Sequence, residues 1–178
     1  MKRIIGKRKR CMMCVVGILI LCLCLQRGMG YYKDLQIAQR EVESFCKSID
    51  GITMNLDVAL YGEAAIREQA LSGVQSYFHL LMTQGLISAQ DLYHCSPEEC
   101  RMLTSEMEEI QNEVDAIVEA FRTSGSLSSM EHNRLMQFNE AFYVLRETMT
   151  VDRILLNQRK LEKEFFMEGM EEFFQSAA

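Results

Sequence analysis

The chain has one proline, at position 97, three histidines and no tryptophan. So little proline, beside 48% hydrophobic residues, argues against a turn-rich β architecture and for a helical protein. The histidines, His79, His94 and His132, stand apart. No HExxH zinc signature and no Glu-x-x-His pair for a di-iron bundle can be built from them. A glycine-rich phosphate loop and a GxSxG elbow are missing as well. Carboxylates are abundant, but EMEEIQNEVD and EKEFFMEGMEE hold them mostly off the apolar seams, as solvated helix faces do. These absences predict a protein that is not an enzyme and that holds no metal or cofactor.

Acidic side chains are absent from the first thirty residues, which carry seven basic ones. Residues 31–178 reverse the balance, with 12 basic against 25 acidic side chains and a net charge of −13. A surface that acidic repels nucleic-acid backbones and anionic lipid, which excludes nucleic acid as a partner and favours basic ones.

The opening, MKRIIGKRKR CMMCVVGILI LCLCL, is a basic stretch followed by fifteen uncharged apolar residues, Cys11 to Leu25. Such a run inserts readily into membranes, although it is shorter than the ~20 residues a span usually needs. No lipobox precedes Cys22 or Cys24, where Leu21 and Leu23 stand. Arg27 after the run and six basic residues before it predict an uncleaved anchor over residues 11–27, with residues 1–10 as a cytoplasmic tail. Cleavage near Gly30 is the alternative, and it would release a secreted protein. Cys11, Cys14, Cys22 and Cys24 act as small hydrophobes within this segment.

Beyond Tyr32 the chain is written in heptads. Leu35, Ala38, Val42, Phe45, Ile49, Ile52, Leu56 and Ala59 step alternately by three and four residues. Gly62 offers a turn, after which Ile66, Ala70, Val74, Tyr77 or Phe78, and Leu81 continue at helical spacing until Gly85 stops them. The connector GLISAQDLYHC reads as one short turn. Cys100, Leu103, Met107, Ile110, Val114, Ile117 and Phe121 form a second regular seam, ended by TSGS. Ser128 and Glu131 form a capping box for a helix through Leu135, Phe138, Phe142, Leu145 and Met149. At Asp152 the spacing fails and re-phases through Leu155, Leu161, Phe165 and Met170, so the last helix is expected to continue towards residue 174 with a shifted face. The predicted fold is all-α, an up-down-up-down antiparallel bundle over residues 31–150, with residues 151–178 as a helical extension.

HCSPEEC, residues 94–100, reads as a helix start. Ser96 is the N-cap, Pro97 occupies the first helical position, and Glu99 completes a capping box with Ser96. Cys95 and Cys100 then take the two positions of a hydrophobic staple, so their side chains should meet. In an oxidising exterior the staple could be a disulfide, worth roughly 2 kcal/mol for so short a loop, less any strain. A zinc site from His94, Cys95, Cys100 and Cys46 fits less well, because C-x4-C is wider than common zinc knuckles.

The tail carries an aromatic stripe: Leu161, Phe165, Phe166, Met170, Phe173 and Phe174. The stripe reads either as packing against the base of the bundle or, because the shorter helices could not cover one that reached residue 174, as a partner-docking helix, the reading favoured here. The acidic polar face argues against a membrane-surface role. The sequence therefore predicts a single-pass membrane protein with an extracytoplasmic helical module. It would serve interaction or assembly within a membrane complex or by self-association. A ligand-binding sensor bundle working with a membrane partner is the alternative, disfavoured because ten cytoplasmic residues cannot hold an output domain.

Overall fold

The computed structural model describes residue 40, residues 42–150 and residues 162–178. Among these residues all regular structure is helical. The helices are α1 (42–61), α2 (Ala64–Leu80), α3 (Leu86–Leu92), α4 (Pro97–Ser124), α5 (Ser129–Thr148) and α6 (Lys163–Ala177). A π-helical turn, Leu81–Gly85, joins α2 to α3. Among the described residues no helix is long and apolar enough to cross a membrane, and the expected anchor at residues 11–27 lies outside them.

The seams predicted from heptad spacing become the core. Val42, Phe45, Ile49, Ile52, Leu56 and Ala59 of α1 are buried, as are Leu103, Met107, Ile110, Val114, Ile117 and Phe121 of α4 and Leu135, Phe138, Phe142 and Leu145 of α5. Leu35, Ala38, Leu155 and Leu161 lie outside the described residues. In α2 the seam resolves to Phe78, fully buried, while Tyr77 and Ile66 face solvent. Tyr77 instead lies against Gly51, where a Cβ would fall 2.2 Å from its ring.

Polar contacts give the helix directions. α1 and α5 run antiparallel, since Asp57 accepts from Asn139 (2.9 Å) and Tyr143, and Asp50, nearer the start of α1, accepts from Arg146. α2 and α4 run antiparallel too, because Gln75 meets Asp115 and Ser72 meets Arg122. Arg134 of α5 grips Glu113 of α4 with both arms of its guanidinium, at 2.6 and 2.8 Å.

Two expectations are corrected. Gly85 does not stop a helix. It is helical, and a Cβ there would lie 3.1 Å from the backbone of Phe45, so the residue serves close approach of α1 while the π-helical turn re-phases the chain into α3. Nor does α5 continue into the tail. It ends at Thr148, and α6 starts afresh after Glu162. α6 runs antiparallel to α5: Gly169 lies against Thr148 and Met149, Phe173 against Phe142, and the Ala178 carbonyl against Arg134. A helix folded back in this way does not outreach its neighbours, which removes the length argument for an uncovered tail.

Candidate functional site

The turn before α4 has the local geometry its sequence specifies. The Glu99 amide donates to Ser96 Oγ (3.3 Å), the Ser96 amide donates to Glu99 Oε2 (2.6 Å), and Pro97 occupies the first turn. His94 has φ of 53°, the left-handed region that histidine enters more readily than most residues, and so reverses the chain between α3 and the cap. Cys95 and Cys100 are half-buried on either side of the cap, and Cys100 Sγ lies 3.8 Å from the Cys95 carbonyl oxygen. Both are thiols in this structure. Burial first, then Cys100 and Glu99, pushes the Cys95 thiol up to about 11. Cys46 Sγ donates to the Met149 carbonyl at the end of α5. Among the described residues no three His, Cys, Asp or Glu side chains converge where a metal ion would sit.

Glu99 has a second duty absent from the sequence reading. Its carboxylate accepts from Lys163 Nζ at 3.0 Å, tying the start of α6 to the start of α4. The Ser96 amide first, and Lys163 next, hold the Glu99 carboxyl down to about 2. Gln90 of α3 donates to the Cys100 carbonyl (3.2 Å), closing the same corner. No spacing rule signals these partners, because each joins residues from different helices.

The aromatic stripe divides. Phe166, Met170 and Phe173 have no exposed surface, whereas Phe165 and Phe174 are half-buried. Leu161 lies outside the described residues. Phe166 stacks on Tyr93 at 4.5 Å and meets the edge of Phe45 at 6.1 Å. Phe173 lies 4.8 Å from Phe142, which meets Phe78 edge-on at 5.3 Å. The three fully buried members therefore pack in the core of this chain, as the bundle-packing reading of the stripe expects of them, and Phe165 and Phe174 keep part of their surface.

What α6 leaves outside is a groove along α4, with a volume of about 690 Å³. Met102, Leu103, Met167 and Phe174 supply its apolar lining, and Met102 keeps 47% of its surface exposed. Glu106, Glu164, Glu168 and Glu171 stand along it, all exposed, and no lysine or arginine is among its lining residues. The parallel course of α4 and α6 forms the groove, for Glu99 meets Lys163 at one end and Arg134 ties Glu113 to the Ala178 carbonyl at the other. Phe174, a docking candidate from the sequence, is among the groove's lining residues. Met102 and Met167 were missed, because Met102 falls off the α4 seam and Met167 off the aromatic stripe.

Comparison with protein-family models, curated proteins and solved structures finds no match for this chain. The class to which fold and groove point is a helical bundle with an apolar, acid-rimmed face.

Proposed function

We propose that the protein is a membrane-anchored interaction module. Residues 1–10 remain in the cytoplasm, residues 11–27 cross the membrane, and the remainder is an exported, up-down antiparallel bundle that docks a protein partner without catalysing a reaction. The observation that carries the docking role is the α4–α6 groove. Methionine and phenylalanine lie open in it beside exposed glutamates, and large apolar side chains left accessible within a polar rim are typical of binding surfaces. The placement rests on charge: seven basic residues and no acid in the first thirty, around fifteen apolar ones, favour a basic end kept inside.

Two measurements test the reading. Intact-mass analysis of protein extracted from membranes should return the full chain; a mature form beginning at Tyr31 would remove the anchor and leave a secreted bundle. Cross-linking in membranes of the native host, followed by purification, should recover a protein partner through α4 or α6. Recovery of cross-links only within the chain would refute docking as its role.

A further inference from the structure

We infer that the α4–α6 groove receives a basic amphipathic helix of a partner protein, one with lysine or arginine flanking an apolar stripe. The inference rests on the docking role proposed above and names the chemistry of the occupant.

Shape and charge lead to the same occupant. The groove is bounded by two parallel helices and floored by Met102, Leu103, Met167 and Phe174, a lining suited to the apolar stripe of a third helix. Methionine, unbranched and polarizable, adapts its shape to different apolar side chains. The four glutamates then set the sign. Glu164, Glu168 and Glu171 recur at helical spacing along one edge of α6, and Glu106 faces them from α4. The basic groups nearest the groove are already engaged or off its lining: Lys163 is held by Glu99, Arg134 by Glu113, and Arg101 is exposed on α4 outside it.

Competing occupants meet repulsion. A second copy docked through the same face would set glutamate against glutamate, and anionic lipid would meet the same rim. A helix whose cations flank its apolar stripe satisfies both floor and rim.

The experiment titrates the full-length protein, in neutral detergent, with two fluorescent helical peptides of leucine and lysine or of leucine and glutamate in the same amphipathic pattern. The Leu/Lys peptide should bind at least tenfold more tightly than the Leu/Glu peptide, and its binding should weaken as salt is raised. The double variant Glu164→Lys/Glu168→Lys should weaken Leu/Lys binding by tenfold or more. Met102→Glu should also weaken it, although it adds a negative charge, because it spoils the apolar floor. Both variants alter exposed side chains, and unchanged thermal melting would confirm that each is folded.

Equal binding of both peptides, or Leu/Lys binding untouched by these variants, would overturn the inference. It would also be overturned if the peptide bound only after Lys2, Arg3, Lys7, Arg8, Lys9 and Arg10 were changed to glutamine, since the groove would then be filled by the chain's own first residues. If the groove variants retain every cross-linked partner of the wild type, the groove assignment fails while the docking role stands. A wild-type chain with no cross-linked partner would instead remove the docking role.

Discussion

Phe166→Ala tests whether α6 is part of the core or a separable tail. Phe166 has no exposed surface, stacks on Tyr93 at 4.5 Å with rings 4° from parallel, and meets Phe45 edge-on at 6.1 Å. Truncating a buried phenylalanine to alanine costs about 3–5 kcal/mol, the lost transfer energy plus the cavity left behind. The aromatic contacts place this site in the upper part of that range, since each such pair adds about 0.5–1.5 kcal/mol beyond area burial. Against a total stability of roughly 5–15 kcal/mol, the loss removes a large fraction of the margin. Guanidinium unfolding of the full chain in neutral detergent, followed by circular dichroism, measures it. Phe174→Ala, at a half-buried groove position, should cost only about 1 kcal/mol, because less surface leaves water. A Phe166→Ala loss below about 0.5 kcal/mol would refute the placement of α6 in the core. So would a double-mutant cycle in which Phe166 and Tyr93 show no coupling.

Three further outcomes are expected. Glu99 has a carboxyl depressed to about 2 from an ordinary 4.5, so its contribution is fully present above pH 4.5 and is lost as pH falls towards 2; the stability difference between wild type and Glu99→Gln should follow that window, and a difference independent of pH would contradict the bonds its carboxylate makes to the Ser96 amide and to Lys163. Gly125 ends α4 at φ of 72° with open space about it, so Gly125→Ala should cost about 1–2 kcal/mol from backbone strain alone. Gly85→Val should instead cost about 1–3 kcal/mol by pressing on the Phe45 backbone, and chemical denaturation of each variant separates the two sites. In reduced protein, alkylation of Cys95 followed by mass spectrometry should be slow at neutral pH and accelerate towards about 11, where burial places its thiol; rapid modification at pH 7 would show that the start of α4 is open.

Much of the bundle was determined by the sequence alone. The seam of α1 from Val42 to Ala59 and that of α4 from Leu103 to Phe121 follow from spacing, since residues three and four apart share a helix face and an apolar face must be covered. The starts of α4 and α5 were equally legible, because Ser96 with Glu99 and Ser128 with Glu131 satisfy the first amides of their own helices. Periodicity shows that a face is covered, however, and not what covers it. The aromatic residues of α6 carry the same pattern whether they meet a partner or their own core. Only the placement of α6 antiparallel to α5 brings Phe166 onto Tyr93 and Phe173 onto Phe142. Gly85 was opaque for a related reason: glycine stops helices and also lets helices approach, and the nearness of Phe45 decides between the two. The groove lay furthest from view, because Met102 and Met167 belong to no seam and share a surface only when α4 and α6 lie side by side. Local chemistry determined where helices begin and which faces they bury; the pairing of helices distant in the chain decided which apolar side chains remained outside.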